Sequence, residues 1–118
     1  MNITEADAAS IRTKIEQQLE AFRRDDGETA FACASFSIQQ MFRTPAEFMA
    51  MVRSSYQPVY RPRSVVFDAL VLINDALAQK VLFFSQEGEV YTAFYLMERL
   101  AAGQWKINGC LLHAGTNP

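Results

Sequence analysis

The sequence predicts an α+β protein in which N-terminal helices pack on a strongly curved antiparallel sheet. Apolar residues recur at three- and four-residue steps as far as Tyr56, whereas from Arg63 onward the period falls to two. The connectors between the period-two runs are short and carry the turn formers Asn74-Asp75, Gln86-Glu87-Gly88 and Ala101-Ala102-Gly103. Helices first and strands second, with connectors that short, describe a meander whose one face the helices cover. At 118 residues the chain is long enough for one hydrophobic core, and we read residues 1–118 as a single domain.

Residues 4–25 form the first predicted helix. Ala8, Ile11, Ile15, Leu19 and Phe22 make one apolar stripe, while Arg12, Glu16, Glu20 and Arg23 fall outside it. Thr4 caps its start, with Asp7 completing a capping box. Asp25-Asp26-Gly27 ends it, glycine taking the left-handed turn, and the two acids read as a solvated corner set against the helix dipole. GETAFACAS follows as a short second helix that buries Phe31. FSIQQMFR alternates weakly and reads as an edge strand or an irregular link. TPAEFMAMVRSSY is a helix with Thr44 as cap, Pro45 at the first position and Glu47 three residues on; Phe48, Met51 and Val52 form its buried face. Pro58 and Pro62 stop it and give the crossover an extended path.

Four strands follow, over 63–73, 78–85, 90–97 and 104–112. Each shows apolar residues at both parities. Val65, Phe67, Ala69 and Val71 oppose Val66, Leu70 and Leu72; Leu82 and Phe84 oppose Val81 and Phe83. Val90, Phe94 and Leu96 oppose Tyr91, Tyr95 and Met97; Trp105, Ile107 and Leu111 oppose Cys110 and Leu112. A sheet with helices on one side and water on the other should alternate cleanly. The second face is therefore covered by the chain's own loops or by a second copy, and with only three helical segments available the pattern favours a homodimer through the sheet face.

Composition narrows the function classes. A net charge of −2 lacks the basic field of a nucleic-acid binder. No apolar run approaches the ~18 residues of a membrane span, and MNITEADAAS has neither the basic nor the apolar region of an export signal, so the cytoplasm is the expected compartment. Cys33 and Cys110 lie far apart and, with a single histidine, cannot supply four zinc ligands; they read as interior thiols, and no metal or cofactor is expected. Motifs for a Ser-His-Asp order, a phosphate loop, HExxH or CxxC are missing.

The run FMAMVRSSYQPVYRPRSVVF, with FYLMER and QWKINGC downstream, resembles a bacterial family known as domain of unknown function 4864, across nearly the whole chain. The element order, ending in a Trp-x-Ile strand, is similar to the nuclear transport factor two-like superfamily. That resemblance implies a cystatin-like cone that commonly dimerises through its open sheet face. The superfamily holds isomerases, dehydratases, pocket binders and adaptors, so the resemblance implies no single activity.

Residues 54–67, SSYQPVYRPRSVVF, hold the candidate ligand site. As a connector, its tyrosines pad the core and its arginines meet solvent or carboxylates. As a site, Arg43, Arg53, Arg61 and Arg63 stand against one acid, Glu47. Arg61 and Arg63 with Tyr56 and Tyr60 would then hold a small anionic molecule. Asp68 sits inside the apolar run VVFDALVL: either it pairs with Arg61 or Arg63, or it acts as acid or base with a hydroxyl from Tyr60, Tyr91 or Tyr95. Tyr91 and Tyr95 share one face of the third strand, lining a cavity or an interface. His113 reads as a surface residue. Without a recognisable acid–base constellation, the sequence favours a non-catalytic binding or assembly module. An isomerase- or dehydratase-type enzyme and a protein adaptor are the alternatives.

Overall fold

The computed structural model describes residues 2–116. Five helices, α1 (Glu5–Arg23), α2 (Gly27–Ala32), α3 (Phe36–Phe42), α4 (Pro45–Ser55) and α5 (Gln57–Tyr60), precede four strands, β1 (Ser64–Ile73), β2 (Ala76–Phe84), β3 (Val90–Arg99) and β4 (Trp105–Ala114). The strands form one antiparallel sheet in the order β1-β2-β3-β4. This is the expected α+β class. The sheet is not strongly curled, and the helices lie on one face of its four strands.

Helix α1 starts where the capping box places it. The Thr4 hydroxyl accepts from the Asp7 N–H at 3.0 Å, and the Asp7 carboxylate accepts from the Thr4 N–H at 3.1 Å. That backbone donor is the main reason the Asp7 carboxyl titrates below its ordinary range; Arg99, 3.4 Å away, adds to it and ties the helix start to the end of β3. The buried stripe is Ile11, Ile15, Gln18 and Phe22, with Leu19 only half-buried at its flank.

Four local expectations need correction. Asp25, not Gly27, takes the left-handed conformation after α1, at φ 56°; Gly27 opens α2, where a Cβ would come within 3.0 Å of Met49 Cγ. Asp26 is the cap of α2 and accepts from the Thr29 N–H at 3.2 Å, so its charge stabilises that helix start. FSIQQMFR is helix α3 rather than an edge strand, because Ser35 caps it: its hydroxyl accepts from the Ile38 N–H and donates to Asn108 Oδ1 at 2.7 Å. The backbone of Cys33 and Ser35 pairs with Ile107 on β4, stitching the helical layer to the sheet. Residues 57–60, expected to run extended, form the single turn α5, with Pro58 inside its first turn where its missing N–H costs nothing. Thr44 and Pro45 begin α4 as predicted, and Met49 joins Phe48 and Val52 on the buried face while Met51 is half-buried.

Two bulges decide which side chains meet the helices. In β1, Phe67 pairs with Val81 and Leu70 with Gln79, so Asp68 and Ala69 together oppose Lys80. The Gln79 amide donates to the freed Asp68 carbonyl at 2.7 Å. In β4, Ile107 pairs with Met97 and Gly109 with Leu96, leaving Asn108 as the extra residue. Each bulge shifts parity by one. Leu70 replaces Ala69 on the core face, and Cys110 and Leu112 join Trp105 and Ile107 there while Leu111 turns outward. The core gathers these residues with Val81, Phe83 and the Phe48 ring, which lies 5.5 Å from Phe31 and 6.3 Å from Phe22. Residues Asn74 and Asp75, at φ 49° and 68°, make the two-residue β1–β2 turn with both residues left-handed.

The opposite face of the sheet is largely apolar, with Lys80 and His113 among its residues. Val66, Leu82, Phe84, Val90, Phe94, Leu96 and Leu111 lie on it, and none belongs to the core cluster. No helix among the described residues is long and apolar enough to cross a membrane.

Candidate functional site

A cavity of about 320 Å³ lies between the helices and the β3–β4 half of the sheet. Its walls include Phe22 of α1, Ile38 and Phe42 of α3, Phe48 and Val52 of α4, and Ile107 of β4. The exposed residues Met41 and, at the β4 edge of the sheet, Leu111 border it and mark its mouth. No charged residue lines it among the described residues. Helix α3 supplies one side only because Ser35 caps a helix there; a strand would leave that side open.

Polarity is confined to four side chains. Gln18 is fixed by its amide donating to Ala30 O at 3.0 Å. The other three are Tyr56, Tyr95 and Cys110; Cys110 adds to the upward shift of Tyr56, and Cys110 and Tyr56 add to that of Tyr95. Tyr56, from the loop after α4, donates its hydroxyl to Cys110 O at 2.8 Å. Tyr95, from the middle of β3, is 1% exposed, and its hydroxyl has no hydrogen-bond partner among the described residues. Burial is the first cause of each shift: it raises the Tyr56 hydroxyl, pushes the Cys110 thiol up to about 12, and holds Tyr95 well above its ordinary value. All three are neutral protic groups at pH 7, so the site offers hydrogen bonding without charge.

The predicted anion site is organised differently. Tyr60 is buried, and its hydroxyl donates to the Asp25 carboxylate. Arg61 lies flat on the Tyr60 ring, 4.5 Å from its centre; Nη1 donates to Phe22 O at 2.6 Å and Nη2 to Asp25 Oδ1 at 2.8 Å. These contacts, the Tyr60 hydrogen bond first, hold the Asp25 carboxyl below its ordinary range. Arg53 stacks more loosely on the same ring at 5.9 Å. Tyr60 and Arg61 border a separate surface groove beside α1 and β1. Arg63 is exposed beside Gly88, away from that cluster, and Arg43 ends α3. The four arginines therefore do not converge. Of the four ligand residues read from the sequence, only Tyr56 lines the cavity.

Asp68 was read as a carboxylate within an apolar strand. It is exposed on the β1 bulge, accepts from the Ala69 N–H at 2.8 Å and pairs with Lys80 at 3.6 Å rather than with Arg61 or Arg63. It does not line the cavity that holds Tyr95, because it follows the core-facing Phe67 and so lies on the outer face of β1 with Val66. Tyr91 is half-buried and directs its hydroxyl to Glu89 at 3.4 Å. His113 is exposed within β4, its ring edge-on to Phe94. Cys33 and Cys110 are free thiols, and no group of three potential metal ligands occurs among the described residues. The sequence reading missed Gln18 and the α3 residues of the wall. Gln18 was detectable, since it falls on the helical stripe that runs Ile11, Ile15, Gln18, Phe22.

Fold and site together define an α+β domain that holds an uncharged, mostly apolar cavity between its two layers. The model of the family described as domain of unknown function (DUF4864) matches residues 4–118, and the chain belongs to that family. No curated protein and no solved structure matches it.

Proposed function

We propose that the protein is a binding module that takes a small, largely apolar molecule into the cavity between helices and sheet. One observation carries this reading: about 320 Å³ of space is walled by apolar side chains with no charge among them, which falls in the size range of small-molecule sites. An anionic ligand fits that environment poorly, because nothing there compensates a buried charge. A catalytic reading that joins Asp68 to a tyrosine lacks its acid, which lies outside the cavity in an exposed ion pair. The test is a fluorescence titration with the neutral dye N-phenyl-1-naphthylamine. The wild type is expected to bind it, and Met51→Trp, which fills the cavity from its half-buried wall, to lose about tenfold or more in affinity while melting within a few degrees of the wild type. A wild-type protein that leaves the dye in water would overturn the reading.

A second reading concerns assembly, and it favours a second copy on the outer sheet face. Val66 and Leu111 there are 48% and 41% exposed, and Leu82, Phe84 and Val90 are half-buried and lie outside the core cluster. Four strands at ~4.8 Å spacing and about ten residues of ~3.3 Å rise give a projected footprint of about 600 Å². Side-chain relief brings that close to the ~800 Å² each partner buries in a standard interface. Sedimentation at about 10 μM is expected to give a dimer, and Val66→Glu with Leu111→Glu a folded monomer. A monomeric wild type would remove the second copy and leave a different protein as the occupant.

A further inference from the structure

We propose that the cavity selects a neutral molecule with an apolar body and a single hydrogen-bond acceptor, such as a ketone, ester or ether oxygen, held by the hydroxyl of Tyr95. The inference rests on the binding reading above and adds the chemical class. Within the cavity the polar groups are not equivalent. The Gln18 amide donates to Ala30 O, and the Tyr56 hydroxyl proton is committed to Cys110 O. The Cys110 thiol is a weak donor, kept protonated by burial. Tyr95 alone combines a strong donor, burial and no partner among the described residues.

An unmade hydrogen bond at a buried hydroxyl is costly, and a ligand that supplies an acceptor removes that cost on binding. A donor-only ligand does not exploit the free O–H in the same way. A charged acceptor forms a stronger bond but leaves its charge in a cavity with no cationic side chain to offset it. The oxygen is closed over, so the acceptor must part neighbouring side chains. Met41 and Met51, unbranched and adaptable, stand among those lining the cavity.

The test compares benzophenone with 1,1-diphenylethene, which replaces the carbonyl by a methylene of nearly the same shape, in wild type and Tyr95→Phe. The ratio of the two affinities, taken between the two proteins, cancels their different solubilities in water. The expected result is a ratio that falls about fivefold in favour of the alkene when the hydroxyl is removed, with Tyr95→Phe still folded by thermal melt. Equal ratios in both proteins, with both compounds bound, would overturn the Tyr95 anchor while leaving the apolar cavity as a site. Failure of the wild type to bind either compound at their solubility limits would overturn the binding reading itself. Binding of 2-benzoylbenzoate as tight as that of benzophenone would overturn the neutral class.

Discussion

Tyr60 and Tyr95 meet the same problem within one core and resolve it differently. Both are buried tyrosines, at 4% and 1% exposure, and both lie among aromatic rings: Tyr60 is 5.5 Å from Phe22, and Tyr95 is 6.4 Å from Phe83. Around Tyr60 every strong polar group has found a partner. Its hydroxyl donates to Asp25, and Arg61 answers both that carboxylate and the carbonyl of Phe22 near the end of α1. Around Tyr95 the hydroxyl has no partner and the neighbouring walls are apolar. Composition alone would rank the arginine-rich corner as the binding site. Unused hydrogen-bonding capacity ranks the two in the other order, because saturated groups stabilise a fold whereas unsaturated ones are available to a ligand.

The largest effect that separates the two regions is expected from Arg61→Ala. Its Nη1 hydrogen bond to Phe22 O, a last-turn carbonyl of α1 that also accepts from the Asp25 N–H, is charge-assisted and ties α5 to the end of α1. The ion pair to Asp25 is too exposed to add much. Loss of the tie is expected to cost about 2 kcal/mol and to lower Tm by ~8 °C, with dye binding in the cavity unchanged. An unshifted Tm together with lost binding would restore the arginine stretch as the ligand site and reverse the comparison.

How much of this was legible in the sequence depends on whether a feature is local. The Thr4–Asp7 box, the Thr44–Pro45 start of α4 and the Asn74–Asp75 turn are set by a few adjacent residues, and all three read correctly. The two bulges did not, because a period-two pattern carries no mark of where one extra residue is inserted. Each insertion reassigned everything beyond it, so Leu70, Cys110 and Leu111 exchanged faces relative to the simple alternation. Helix α3 was missed because its seven residues bury none of their number fully, so they carry no stripe, while its Ser35 cap lay in the preceding segment. The cavity followed from both failures. Its mouth is built from α3 and from β4 beyond the Asn108 bulge, the two places where pattern reading broke down. Asp68 illustrates the converse error. An acid amid apolar neighbours looks buried, yet Asp68 shares the outer face with the exposed Val66 and is itself exposed.

The smaller effect is the finer probe, since it applies one substitution to both tyrosines. Tyr60→Phe deletes a hydroxyl that donates to a carboxylate, and leaves Asp25 with Arg61 as its remaining side-chain partner. A loss of about 1 kcal/mol is expected. Tyr95→Phe deletes a hydroxyl that makes no hydrogen bond, keeps the ring against Phe83 and removes a buried group that lacks a partner. There the expected change is neutral to a gain of about 1 kcal/mol. Urea denaturation measures both, and an unchanged slope would assign the shifts in midpoint to stability rather than to a change in the exposed surface. Opposite signs would establish that the two hydroxyls differ in what they have left to offer. Equal losses would mean that Tyr95 is satisfied within the folded protein, and the anchor for a ligand's acceptor would disappear with that distinction.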